Sequence, residues 1–219
     1  MMRVTGSNSL LMTGLSTEAD NDTLLNALKK DGNSASKTNR ALEKRAKEYS
    51  DVKNAASDLQ AVTSYLSEYG EELLNQILEN NDRSALNDKI KSFVSGYNNL
   101  LDQLEDLDTS KADRYMDELK SIISGQSELL SKAGIALDSK NRLSVDEEKL
   151  SQADTEDLKK LITGENSVVS KVADRSMYIG ANAVADQYVD ACSNYNSAGT
   201  SVEFAQMTNL IGSYLDSLS

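Results

Sequence analysis

The chain has 219 residues, with 35 acidic and 23 basic side chains and a formal net charge of −12. This charge disfavours binding to nucleic acid and to anionic membrane surfaces, because both are negatively charged. The sequence contains no His and a single Cys, which excludes His-based acid–base catalysis, His-ligated metals, an internal disulfide and a four-cysteine zinc site. We therefore expect a protein that is not an enzyme and that binds no cofactor and no metal.

Membrane insertion is also not expected, because no apolar run exceeds three residues and a membrane span needs about 18. The first 15 residues contain Arg3 but lack the apolar stretch of a Sec signal peptide. The protein is therefore expected to remain in the cytoplasm or to leave the cell by a Sec-independent route.

The N-terminal segment 1–35 is predicted to be partly flexible, with a short helix from residue 16 or 17 to Lys30. The domain proper is predicted to span residues 36–219. Its first helix should run from Ser36 to Glu79. Eleven apolar residues, from Leu42 to Ile77, recur there with a mean spacing of about 3.5 residues, which is the coiled-coil period.

Two further helices are predicted at Ser84–Leu107 and Lys111–Ala133, and Gly134 is placed where a left-handed C-cap belongs. Apolar and polar residues then alternate on either side of a polar stretch, which predicts a β-hairpin over residues 135–146. Short helices open at Asp146 and Thr155. A helix spans about 165–198, in which Gly180 is a candidate bend.

The last predicted helix, Val202–Leu218, carries a strict heptad of apolar residues. Two interpretations remain open: this seam packs on the long helix of its own chain, or it forms an assembly interface with other subunits. The seam residues are Phe204, Met207, Ile211, Tyr214 and Leu218.

Several motifs that could carry chemistry have simpler interpretations. The pairs Glu71-Glu72 and Glu147-Glu148 are typical of a solvated helix face, since adjacent helical residues do not converge. The stretch from Asp138 to Asp146 superficially resembles a calcium loop, but Lys140 and Arg142 fall at ligand positions, which favours a hairpin turn. Cys192 is interpreted as a small buried hydrophobe. The tyrosines Tyr49, Tyr69, Tyr97 and Tyr115 are assigned to the edge of the core.

Two segments resemble a known family. The first is Phe93-Val94-Ser95-Gly96-Tyr97-Asn98-Asn99-Leu100. The second is the hairpin segment, with its motif residues Gly134, Ile135, Leu137, Asn141, Leu143, Asp146 and Leu150. Both are similar to the flagellar filament-capping protein (hook-associated protein 2) family, in which a glycine stands at the position of Asn141. The chain termini show a weaker similarity to flagellins and hook–filament junction proteins.

The fold class is predicted to be mainly α: an elongated antiparallel helical bundle with one small hairpin. The resemblance implies a non-enzymatic structural protein related to the helical core of flagellar axial proteins, exported to the bacterial flagellum and assembling through helix packing. Its expected partners are other proteins, either further copies of itself or flagellar axial proteins. The alternative is a cytoplasmic, acidic helical adaptor or secretion chaperone.

Overall fold

The computed structural model describes the backbone of residues 36–197 and the side chains of residues 43–189. Among the described residues, those up to Arg45 and those from Ala46 onward belong to two separate units, and the packing described below belongs to the second. The predictions for residues 1–35, for Cys192 and for the apolar seam of residues 202–218 lie outside the described side chains.

Within the described residues the chain forms seven helices and two strands. In chain order they are α1 (Ser36–Asn80), α2 (Ser84–Leu107), α3 (Ser110–Ser124), α4 (Ser127–Lys132), β1 (Ile135–Leu137), β2 (Leu143–Val145), α5 (Glu147–Gln152), α6 (Thr155–Ile162) and α7 (Val168–Ser197). The mainly α fold class with one small hairpin is therefore confirmed.

Four of these helices, α1, α2, α3 and α7, pack as an antiparallel bundle. Helix α1 contacts α2 and α7 at two glycines. A Cβ atom on Gly96 would lie 3.3 Å from the Leu59 side chain, and one on Gly180 would lie 3.3 Å from the Ala56 side chain. Gly180 thus lies inside a continuous helix and serves close helix packing.

The predicted boundaries of α1 and α2 agree with the structure to within one residue, but the predicted core stripe of α1 is wrong at one position. Tyr69 is 39% exposed and not at the core. Thr63 is completely buried instead, and Gly70 packs against the Ile162 side chain. The Thr63 hydroxyl donates to the Leu59 carbonyl at 3.0 Å, which satisfies this buried polar group within its own helix.

The predicted helix Lys111–Ala133 is in fact two helices, α3 and α4, separated at Gly125 and Gln126. Helix α3 begins at an N-cap, where the Thr109 hydroxyl accepts from the Ala112 amide at 3.1 Å. It ends where the Gln126 amide turns back to the Ile123 carbonyl. After the break, α4 contacts β1 and α6, and its Leu130 is buried in the main core.

The hairpin, α4, α5 and α6 together replace a simple connection between α3 and α7. The two strands are antiparallel, with Ile135 opposite Val145 and Leu137 opposite Leu143. Strand β2 contacts α2, and α6 contacts both α4 and α7, so this insertion is packed against the bundle.

Candidate functional site

The hairpin joins the rest of the fold at Gly134. No other residue type fits this position unless the neighbouring backbone of α5 moves. Its φ is +75°, as the predicted left-handed C-cap requires. A Cβ atom here would come within 2.8 Å of the Leu150 Cα and within 3.0 Å of the Asp146 carbonyl oxygen. The Gly134 carbonyl accepts from the Asp146 amide at 2.8 Å, which locks the start of β1 to the start of α5.

The Asp138 amide donates to the Arg142 carbonyl at 3.0 Å, which leaves residues 139–141 as the loop of the hairpin. Asn141 in this loop is left-handed, with φ +61°. The Asp138 carboxylate accepts from the amides of Lys140 and Arg142, each at 2.8 Å. The Asp146 carboxylate caps α5 by accepting from the Lys149 amide, and this bond is the main reason that its pKa is lowered. The carboxylates at both ends of the stretch that resembles a calcium loop therefore bind backbone amides.

One face of the hairpin is apolar and belongs to the main core. Ile135 and Leu143 are buried together with Leu150 of α5, and Leu137 is partly buried against the core. Ala136 and Ser144 lie on the opposite face and are exposed. This alternation follows from the two-residue period of a strand and confirms the sequence prediction.

Asn98 on α2 holds the hairpin through both polar groups of its side-chain amide. Its Nδ2 donates to the Leu143 carbonyl at 2.7 Å, and its Oδ1 accepts from the Leu143 amide at 2.9 Å. A side-chain amide is one of the few groups that can satisfy both a backbone donor and a backbone acceptor of the same residue.

Tyr97 and Arg142 complete this attachment. The fully buried Tyr97 donates its hydroxyl to the Asn141 carbonyl at 3.2 Å, and burial raises the pKa of this tyrosine. Arg142 donates to the Asn98 carbonyl at 2.7 Å and pairs with Asp102 and Glu105 at 2.5 and 2.9 Å. Helix α2 therefore binds the hairpin turn through partly buried hydrogen bonds and two more exposed ion pairs.

These contacts join the two segments that the sequence analysis singled out separately. The hairpin motif residues from Gly134 to Leu150 form one packed unit, and Tyr97-Asn98 contacts that unit directly. The contact itself and the role of Arg142 were not predicted from the sequence. One feature of the sequence could have indicated this contact. Asn98 is a polar residue directly beside the apolar stripe of α2, where a buried or half-buried amide needs a hydrogen-bond partner on a neighbouring element.

A second polar cluster lies between α3 and α7, and sequence reasoning missed it too. Lys111 pairs with the largely buried Asp186, and Arg175 pairs with Glu118. The Arg175 guanidinium lies 5.5 Å from the centroid of the Tyr115 ring and 4.5 Å from that of Tyr178.

Tyr115 at the centre of this cluster is 5% exposed, and its hydroxyl has no hydrogen-bond partner among the described residues. Burial, reinforced by the negative charge of Asp186, raises the pKa of Tyr115 to about 12. The prediction that Tyr115 packs at the core is correct, as are those for Tyr49 and Tyr97.

The paired carboxylates do not converge on a pocket. Glu71, Glu72, Glu147 and Glu148 are all exposed, and Glu147 forms an ion pair with Lys91 at 2.7 Å. Among the described residues, no group of three or more acidic or cysteine side chains is placed to hold a metal ion. In the same part of the chain, no helix combines the length and apolar character that crossing a membrane requires.

The hairpin packed on α2 and the polar cluster between α3 and α7 are thus the two features that these side chains build. Comparison with known proteins gives no assignment: no protein-family model matches the chain, and no curated protein or solved structure matches it significantly.

Proposed function

We propose that the chain is a non-enzymatic structural protein, related to the helical core of flagellar cap or axial proteins, that is exported and assembles through helix packing. The observation that carries the proposal is the contact between Tyr97-Asn98 and the hairpin turn. The two segments that resemble the capping family independently in sequence form one unit in the fold. A chance resemblance of two segments gives no reason for them to pack together.

The location of the protein tests this proposal. Antibody detection in cytosol, culture medium and sheared filaments should find the protein outside the cell only when the flagellar export apparatus works. If the protein stays in the cytosol both in cells with a working export apparatus and in cells without one, export is refuted.

The role of the C-terminal seam is tested separately. Ile211→Ser combined with Tyr214→Ser should abolish self-association and incorporation into filaments, because the substitutions interrupt the apolar heptad. The matched control is Ser213→Ala combined with Ser217→Ala, which changes the same segment outside the seam. Unchanged assembly of the seam variant would show that another surface mediates assembly.

A second candidate function is a cytoplasmic adaptor or secretion chaperone. It is favoured by the charge of α1, since residues 54–80 of this helix contain five carboxylates and no Lys or Arg. A long acidic helix can present a surface to the helix of an export substrate. This function predicts a cytosolic protein that co-purifies with one export substrate. If no export substrate co-purifies with it, this function is contradicted.

A further inference from the structure

The pattern Tyr-x-x-Glu occurs three times in the chain, as Tyr65/Glu68, Tyr69/Glu72 and Tyr115/Glu118. All three copies lie on helices, where residues three apart are neighbours on one face. Each copy therefore places a tyrosine ring beside a carboxylate. The first two copies follow one another on α1, and the third lies on α3.

The copy on α3 shows what this arrangement binds. Arg175 of α7 lies over the Tyr115 ring and pairs with the Glu118 carboxylate. Its guanidinium lies closer to Tyr178 of α7, at 4.5 Å from the ring centroid, than to Tyr115, at 5.5 Å, so the cation has two rings and one carboxylate around it. A planar guanidinium suits this combination better than an ammonium group, because it can stack on a ring while it donates to a carboxylate.

The two copies on α1 form an exposed surface, the tyrosine–glutamate face, consisting of Tyr65, Glu68, Tyr69 and Glu72. Tyr65 and Tyr69 are 36% and 39% exposed, and their ring centroids are 4.9 Å apart. The Glu68 carboxylate raises the pKa of Tyr69 through a hydrogen bond to its hydroxyl. The rings and carboxylates are thus already arranged side by side.

A cation from the protein itself lies at one end of this face. Lys89 of α2 places its Nζ 4.2 Å from the centroid of the Tyr65 ring. No cation–π contact to Tyr69 occurs among the described side chains. The face therefore attracts cations in the same way as the copy on α3, but within the described residues it receives only one ammonium group and no guanidinium.

The charge around the face selects the partner. Residues 54–82 carry six carboxylates and no cation, and the whole chain carries −12. A second copy of the chain would bring this same charge to the interface, which opposes association through this face. A basic partner is attracted by it.

We propose that the tyrosine–glutamate face docks an arginine-bearing helix of a partner protein. Two arginines four residues apart on that helix match the four-residue spacing of Tyr65 and Tyr69. Each guanidinium contacts one ring and a neighbouring carboxylate, the combination that Arg175 finds at Tyr115, Tyr178 and Glu118. The arginine at Tyr65 takes the place of Lys89 on that ring. This interaction is additional to assembly through the C-terminal seam and does not depend on it.

The test uses the full-length protein and a fluorescein-labelled helical peptide of about 15 residues that carries two arginines four residues apart. The control peptide has citrulline at both positions, which keeps the shape and removes the charge. Fluorescence anisotropy at physiological ionic strength should show that the arginine peptide binds at least about fivefold tighter than the citrulline peptide. Equal affinities, or no binding of either peptide, would overturn the proposal.

A matched pair of variants locates the binding site. Glu72→Gln removes one carboxylate from the face, whereas Glu71→Gln removes the same charge from an adjacent exposed position on the same helix. Glu72→Gln should weaken binding about threefold, and Glu71→Gln should change it less than twofold, because salt screens charges that make no direct contact. Equal weakening by both variants would indicate diffuse attraction to an acidic helix and would overturn docking at this face.

The tyrosine ring is tested in the same assay. Tyr69→Leu keeps an apolar side chain and removes the ring, and should weaken binding about two- to fivefold. Tyr69→Phe keeps the ring and should retain most of the affinity. If Tyr69→Leu binds as tightly as the unsubstituted protein, the rings do not contact the arginines and the proposal fails. Tyr69 and Glu72 are exposed in the free protein, so these substitutions should not disturb the fold, and circular dichroism checks that each variant folds.

Discussion

Replacing Gly134 with Ala tests whether the hairpin is locked to α5 at a single backbone position. Ala disfavours the left-handed conformation at φ +75° by about 1–2 kcal/mol. Its Cβ would also collide with the backbone of Leu150 and with the Asp146 carbonyl, so α5 must move. That movement weakens the hydrogen bond from Asp146 to Gly134, worth about 1 kcal/mol, and the packing of Leu150. We expect the free energy of unfolding to fall by about 3–5 kcal/mol.

Gly164→Ala is the matched control for this variant. Gly164 has a similarly positive φ of +88°, but a Cβ atom there would meet nothing within 4 Å. This variant therefore suffers only the conformational cost, about 1–2 kcal/mol. The effect of Ala on the unfolded chain is common to both variants and cancels in the comparison.

The measurement is urea-induced unfolding followed by far-UV circular dichroism for the two variants and the unsubstituted protein. Gly134→Ala should be less stable than Gly164→Ala by at least about 2 kcal/mol. If the two variants lose the same stability, close contact at Gly134 contributes nothing and the reasoning is refuted.

Three more predictions concern side chains of the hairpin attachment and of the polar cluster between α3 and α7. Asn98→Ala removes both hydrogen bonds to Leu143 and should lower the free energy of unfolding by about 1–3 kcal/mol in urea titrations, and an unchanged value would contradict its attachment role. Asn141→Val places a β-branched residue at φ +61° and should cost about 1–2 kcal/mol in the same assay, whereas Asn141→Gly should cost nothing, so equal stabilities would refute the turn assignment. Because the pKa of Tyr115 is raised from 10 to about 12, the folded protein holds this proton more tightly than the unfolded chain, and the stability is complete below about pH 10 and falls as the pH rises towards 12. Tyr115→Phe should reduce this loss of stability at alkaline pH, measured by urea unfolding on either side of pH 10. It should also raise the free energy of unfolding at neutral pH by about 1 kcal/mol, because it removes a buried hydroxyl that has no partner among the described residues. A lower stability of this variant at neutral pH would contradict the reasoning.

Periodicity and turn chemistry predicted most of the local structure. The boundaries of α1 and α2 and both strands follow from apolar spacing, and the left-handed backbones at Gly134 and Asn141 follow from residue type. These features depend on a few neighbouring residues, so the sequence contains the needed information.

The failures occurred where the deciding contact comes from a distant part of the chain. Tyr69 is exposed, and Gly70 lies at the buried face of α1 instead because it leaves room for Ile162, which lies on α6. After the break at Gly125, α4 contacts α6, which lies beyond the hairpin and α5 in the sequence. A prediction from apolar spacing favours burial of a tyrosine over burial of a threonine or a glycine. It does not include a packing neighbour that lies about 90 residues away in the sequence.

The candidate site was predicted in its parts but not in its assembly. The hairpin residues were identified from alternation and resemblance. The attachment of Asn98 and Arg142 depends on which face of α2 meets the hairpin, and a helical pattern alone does not give that pairing. The ion pairs between α3 and α7 were missed for the same reason, since Arg175 and Glu118 are 57 positions apart in sequence.

The hydrogen bonds between Asn98 and Leu143 also limit what else the hairpin can do. A strand at the edge of a sheet normally exposes backbone amides and carbonyls to which another chain can add. At Leu143 the outward-facing amide and carbonyl are both occupied by the asparagine side chain. An incoming strand would have to displace Asn98 before it could pair with β2. The same two bonds that attach the hairpin to α2 therefore also protect the outer edge of β2 against strand addition and aggregation.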